Sequence, residues 1–199
     1  MSSEGYPDPE NTLDSASSES PPPPLPTLTD APKTFSGCCL GLSLPLLNHV
    51  HMTLSAAPGL VISIGSGYGL LEALLLSRPY SVNIIGVEVQ PSSNQYLPPS
   101  HHRVVAGSRF LDSSALKSAV WLFVYPKRVG LVGEYVKAYG MGLVQKIIWA
   151  GPKLDWDDYR PVFLDKSAGM IWRVETRSAD EIGGHAWEML AIATKLRIP

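Results

Sequence analysis

Hydrophobic positions along the chain fall into short runs broken by glycine, proline and polar residues. Val61–Ile64 (V-I-S-I) reads as a buried strand, and Leu70–Ser77 (L-L-E-A-L-L-L-S) as the helix that follows a glycine turn. Asn83–Val89 is the next buried strand, Val104–Ala106 a short third one, and Ser113–Ser118 a short helix. Ala119–Tyr125 predicts a strong buried strand, stopped by Pro126, which lacks a backbone N–H. Leu131–Tyr139 has helical spacing, with Leu131, Val132, Tyr135 and Val136 on one face. Leu143–Trp149 reads as a strand stopped by Gly151-Pro152, and Trp156–Leu164 as a helix interrupted by Pro161. Two β-rich stretches close the chain, Met170–Thr176 and Trp187–Leu196, joined by Ser178–Gly184 with a turn at Gly183-Gly184. By composition Trp187–Leu196 suits a helix equally well. Strands alternating with helices imply an α/β fold around a mostly parallel sheet.

The segment V-I-S-I-G-S-G-Y-G, Val61–Gly69, carries the most chemistry. A strand that feeds a glycine turn and then a helix presents backbone N–H groups and the positive end of the helix dipole, where nucleotide-like ligands dock. Gly65, Gly67 and Gly69 permit close approach of that backbone to a ligand. Dinucleotide-binding domains want G-x-G-x-x-G, and the chain has Leu70 where the third glycine belongs. The strand Asn83–Val89 ends on Glu88, a carboxylate placed to accept hydrogen bonds from both hydroxyls of a ribose. Glu88 supports an adenosine ligand without choosing between cofactors.

The G-x-G-x-G spacing after a hydrophobic strand resembles motif I of the class I S-adenosylmethionine-dependent methyltransferases, and the order of elements over residues 37–199 resembles their domain. The resemblance implies a Rossmann-like, seven-stranded, mostly parallel sheet with helices on both faces and the last strand antiparallel. It implies S-adenosyl-L-methionine as cofactor. Gly65, Ser66 and Gly67 would hold its methionine part, Glu88 its ribose and Ser108 its adenine side, with Tyr125 at the mouth of the transfer site. Ser63, Gly69, Val89 and Gly107 complete the expected cofactor set.

The chain departs from that pattern at specific positions. Ser63 stands where motif I usually has an acid, and Ser108 where an aspartate often meets the adenine. Serine hydrogen-bonds but supplies no charge for the ligand's ammonium or sulfonium. Asp112, four residues past Ser108, is a candidate substitute on a longer loop. After the fourth strand the turn is Val124-Tyr125-Pro126-Lys127, without the leading Asn or Asp of the amine methyltransferases. Tyr125 either orients a substrate or packs against a neighbouring helix.

The 199 residues, 45% of them hydrophobic, make one sizeable core. Residues 1–36 are rich in Ser and Pro and lack apolar periodicity, so a disordered tail is expected before a single domain at 37–199. The tail holds Glu4, Asp8, Glu10, Asp14, Glu19 and Asp30 against Lys33, which leaves residues 37–199 mildly basic within a total of −2. No basic run accompanies that excess, so nucleic acid is not indicated as a partner. No signal peptide and no apolar stretch of about 18 residues is present, so a membrane is not expected. Adjacent Cys38 and Cys39 suit reduced thiols in a cytoplasmic or nuclear protein. His49, His51, His101, His102 and His185 lack metal-ligand spacing, so no metal is expected; His185 is a candidate general base. Trp149, Trp156, Trp172 and Trp187 suit core packing, and Asp155, Asp157 and Asp158 the start of a helix. Leu46–Leu54 predicts a short helix at the sheet edge beside the cofactor.

The leading expectation is a methyltransferase acting on a small-molecule acceptor, with little chain left for a substrate-recognition domain and so open to a protein partner or a homodimer. The alternative is a catalytically silent methyltransferase-like scaffold. An NAD-binding oxidoreductase is third, weakened by Leu70 and by the lack of a Tyr-x-x-x-Lys pair after the fourth strand.

Overall fold

A computed structural model describes residues 21–165 and 169–196. The first twenty residues of the expected tail lie outside them. Within the remainder of that stretch, Lys33–Phe35 forms a strand, β1, which pairs antiparallel with β2 (Cys38–Leu42) in a two-stranded hairpin. Leu28 and Phe35 pack against the core, which ties this segment to the domain.

The main sheet has seven strands: β3 (Val61–Ile64), β4 (Ile84–Val89), β5 (His102–Val105), β6 (Val120–Val124), β7 (Lys146–Pro152), β8 (Trp172–Ser178) and β9 (Glu188–Lys195). Their spatial order is β5-β4-β3-β6-β7-β9-β8. The first five are parallel, and β9 inserts antiparallel between β7 and β8. This is the Rossmann-like sheet expected from the sequence, with the strand order reversing between β3 and β6, where the crevice of such folds lies.

Alternate strand residues serve opposite faces, as strand geometry requires. Val61, Val120, Leu122 and Ile148 pack with α1 (Leu44–Ser55) and α2 (Leu70–Leu76), whereas Ile62, Trp121, Phe123 and Ile147 pack with α3 (Gly130–Tyr139) and α4 (Trp156–Leu164). Strands covered on both sides read as continuous apolar runs, which is why β3 and β6 were legible. Ser43 caps α1 through its hydroxyl on the Leu46 N–H.

Two stretches differ most from the sequence reading. β7 starts later than Leu143 and runs through Gly151-Pro152. The Lys153 N–H donates to the Trp187 carbonyl, which turns the Pro152 nitrogen away from β9 toward the side where pairing with β6 has ended at Ala150. The link Ser178–Gly184 contains a one-turn helix, α5 (Ala179–Ile182), closed by a Ser178–Glu181 capping box and by Gly183 in the left-handed region. The strand reading of Trp187–Leu196 holds over its helical alternative: Glu188–Lys195 forms β9, paired on both edges with β7 and β8.

Candidate functional site

A cavity of about 420 Å³ opens at the carboxyl ends of β3, β4 and β6. Gly65 and Ser66 form its floor, Glu88 and Val89 one side, and Ser108 and Phe110 the next. Tyr125 and Arg128 bound it across β6, and Gly37, Cys38 and Cys39 of the hairpin roof it. The hairpin sits there because Gly37, at φ +83°, lies against the ring of Tyr68 in the glycine loop. A Cβ on Gly37 would stand 2.2 Å from that ring.

Of the residues expected to hold a cofactor, Gly65, Ser66, Glu88, Val89, Ser108 and Tyr125 are brought together around this cavity. Gly67, Gly69 and Gly107 shape the turns behind it and are not in its wall. Ser63 is also out of the wall, 1% exposed within β3. Asp112 does not replace Ser108: its carboxylate accepts from the Ser114 N–H and hydroxyl, at the head of a 3-10 turn over Ser113–Lys117.

One expectation needs correcting in its physics. Four of the five amides at 65–69 are already engaged within the protein. The Gly65 and Ser66 N–H groups donate to the Val87 carbonyl, Gly67 to Glu88 and Gly69 to the Ser66 carbonyl. They hold the loop's shape, and α2 behind it is only seven residues long. What the loop offers instead is space and one hydroxyl. Gly65 is at φ +78°, and a Cβ there would meet nothing within 4 Å. The Ser66 hydroxyl is buried in the wall without a partner, which leaves a polar group for a ligand to satisfy.

Glu88 keeps its orientation through two backbone donors, Gly67 N–H at 2.6 Å and Val89 N–H at 2.8 Å. Each oxygen retains a lone pair for a further donor. A second carboxylate, missed in the sequence, stands in the same cavity. Glu72 of α2 is 2% exposed, lines the wall and accepts a 2.5 Å hydrogen bond from Ser63. Burial pushes its carboxyl up to about 7, Ser63 pulls it down, and Glu88 adds to the rise. The available signal was a single acid inside the apolar run L-L-E-A-L-L-L, since an acid is seldom buried there without a partner. A buried carboxylate carried by the next helix thus stands beside Ser63 in the cavity wall.

At the cavity mouth Tyr125 adopts φ +46°, uncommon for a residue with a side chain, and donates its hydroxyl to Glu188 Oε1 at 2.8 Å. Glu188 is fully buried and also accepts from the Gly41 and His185 N–H groups at 2.9 and 2.8 Å. Burial and this carboxylate together push the Tyr125 phenol above its ordinary range. His185, the candidate base, lies outside the wall; it stacks on Trp187 with centroids 4.4 Å apart and meets Thr34 through its ring nitrogen. Trp149, Trp156 and Trp172 are core residues, whereas Trp187 is exposed. Arg128 clamps Glu134 of α3 and donates to the Ser108 carbonyl at 2.7 Å, fixing the loop that carries Ser108. Among the described residues no helix is long and apolar enough to cross a membrane.

No family model matches the chain, and no curated protein matches it. Solved structures do. The chain is similar to a precorrin-6y C5,15-methyltransferase from Geobacter metallireducens at 10% identity and TM-score 0.57, over 85% of this chain and 100% of that one. It is similar to the methyltransferase domain of bacterial CtHen1 at 17% identity and TM-score 0.53, over 74% and 96%. It is similar to the small RNA methyltransferase HEN1 at 15% and 0.56, over 79% of this chain and 26% of that chain. The fold is that of the class I S-adenosylmethionine-dependent methyltransferases.

Proposed function

We propose that this chain binds S-adenosylmethionine in the 420 Å³ cavity and transfers its methyl group to a small-molecule acceptor. The observation that carries the reading is Glu72, a buried carboxylate facing a cavity that also holds Glu88. A packed core gains nothing from such a group, whereas a cationic ligand turns it into a strong contact. Glu72 would meet the ligand's ammonium, Glu88 its ribose hydroxyls, and the Ser66 hydroxyl its amino-acid end. Ser108 and Phe110 would flank the adenine, and the open side of Gly65 would admit the ligand against the backbone.

S-adenosylmethionine supplies an electrophilic methyl group, so the chain's task is to bind and orient rather than to furnish a strong base. The sheet order, with β9 inserted antiparallel, also speaks against a nicotinamide enzyme, whose sheet runs 3-2-1-4-5-6. Calorimetry with S-adenosylmethionine and S-adenosylhomocysteine tests the proposal. Saturable binding of both is expected, and no heat at millimolar ligand would end it, leaving the silent-scaffold reading.

A further inference from the structure

Residues 21–26 read P-P-P-P-L-P, five prolines in six positions, and form neither helix nor strand. A proline ring fixes its own φ near about −65°, and a residue that precedes proline is pushed out of the helical region. Pro21, Pro22, Pro23 and Leu25 each precede a proline, so the covalent chain itself selects a polyproline II rod. Such a rod rises about 3.1 Å per residue, which makes this one about 19 Å long.

The rod is presented rather than packed. Residues 21–25 are exposed, Leu25 among them at 39%, and only Pro26 is half-buried. Among the described residues none donates a hydrogen bond to 21–26. Prolines carry no N–H, so the rod shows its surroundings a row of ring faces and unpaired carbonyl acceptors. Its carboxyl end is tied down. Leu28 packs against the core, and the Thr29 carbonyl accepts from the Leu44 N–H at 2.9 Å, at the start of α1. A segment whose backbone is already fixed loses little conformational freedom when a partner takes it up.

We propose that residues 21–26 dock a second protein, which seats them in a groove of tryptophan and tyrosine rings of the WW-domain kind with basic residues at its flank. Proline rings lie flat on aromatic rings, and indole N–H and tyrosine O–H donors meet the free carbonyls. Leu25, between Pro24 and Pro26, gives the groove one side chain to read besides proline. Charge selects the flank. Residues 1–20 hold Glu4, Asp8, Glu10, Asp14 and Glu19 with no Lys or Arg, and the first base of the chain is Lys33. A groove with an acidic pocket, built to read Arg or Lys beside the prolines, meets like charge here. The docking segment is independent of the cofactor cavity, since none of residues 21–26 lines it.

The test uses the full chain and purified probes: a panel of WW domains with basic residues beside the groove, and an SH3 domain with an acidic pocket. Each probe is isotopically labelled and titrated with the unlabelled chain, and the indole N–H signals of its groove are followed by NMR. Saturable shifts are expected in the WW panel, weakening several-fold as salt rises from about 50 to about 500 mM. The SH3 domain is expected to bind at least about tenfold more weakly. Pro23→Ala combined with Pro24→Ala should weaken WW binding at least about tenfold, through the loss of two rings and of the preset backbone. The melting temperature should stay as in wild type, since the rod lies outside the core. No saturation of any WW domain below about 1 mM overturns the proposal. Binding that survives the double substitution overturns it too, because the contact then lies elsewhere on the chain. Tighter binding by the SH3 domain, or binding indifferent to salt, overturns the partner chemistry assigned here.

Discussion

The Ser63 hydroxyl donates to Glu72 across the junction of β3 and α2, so a serine on the strand holds a buried carboxylate of the helix in place beside the cavity. The hydroxyl orients the carboxylate and compensates part of its burial. Ser63 needs no contact with a ligand to matter.

That arrangement makes the stability of the empty protein depend on pH. Burial raises Glu72 in the folded chain from its ordinary 4.5 to about 7. The folded state therefore holds this proton more tightly than the unfolded one, and stability falls as pH rises between those values. The contribution is fully present below about pH 4.5 and gone above about pH 7, a few kcal/mol at most. Thermal melts of wild type and Glu72→Gln across this window should diverge, with the variant gaining relative stability toward the alkaline end. Parallel curves would contradict the assigned burial cost.

Gly37→Ala is expected to loosen the hairpin roof. The new Cβ would collide with the Tyr68 ring, and a φ of +83° suits alanine poorly. A loss of about 1–3 kcal/mol in stability is expected. Weaker S-adenosylhomocysteine binding should accompany it, since Cys38 and Cys39 leave the wall with the hairpin. Unchanged melting and affinity would show that the roof is not held by this contact.

The two cysteines should react unequally. Burial, helped by Glu72, pushes the Cys38 thiol up to about 12, while Cys39 is exposed on the cavity wall. Iodoacetamide near neutral pH should label Cys39 and spare Cys38, as read by peptide mass spectrometry. Saturating S-adenosylhomocysteine should slow that labelling. Preferential modification of Cys38 would mean the hairpin opens in solution.

How much of this could be read from the chain depends on how each residue is buried. The β3–loop–α2–β4 unit was legible almost to the residue, because strands covered on both faces give unbroken apolar runs and glycines mark their ends. The same double burial made β9 ambiguous, since E-M-L-A-I-A-T-K carries no period that separates strand from helix. The hairpin was missed because β1 follows a Ser/Pro-rich stretch and owes its pairing to contacts with Tyr68 and the core, which no local pattern records. Glu72 was missed for a different reason. Motif spacing directs attention to position 63, and only three-dimensional proximity brings a carboxylate from α2 to that place. Glu88 and Tyr125 were found because strand ends are where ligands meet parallel sheets; the partner that sets Tyr125, Glu188, is far away in the chain.

The most direct test of the central claim is calorimetric titration of wild type and Glu72→Gln with S-adenosylhomocysteine from about pH 6 to about pH 8. The ammonium of S-adenosylhomocysteine, set beside Glu72, favours the charged carboxylate, so wild-type affinity should climb with pH by up to about tenfold per unit below the Glu72 midpoint and then level off. The variant should bind more weakly and show no such rise. Equal, pH-independent binding by both proteins would contradict the role given to Glu72, and no binding by wild type would remove the cofactor site itself.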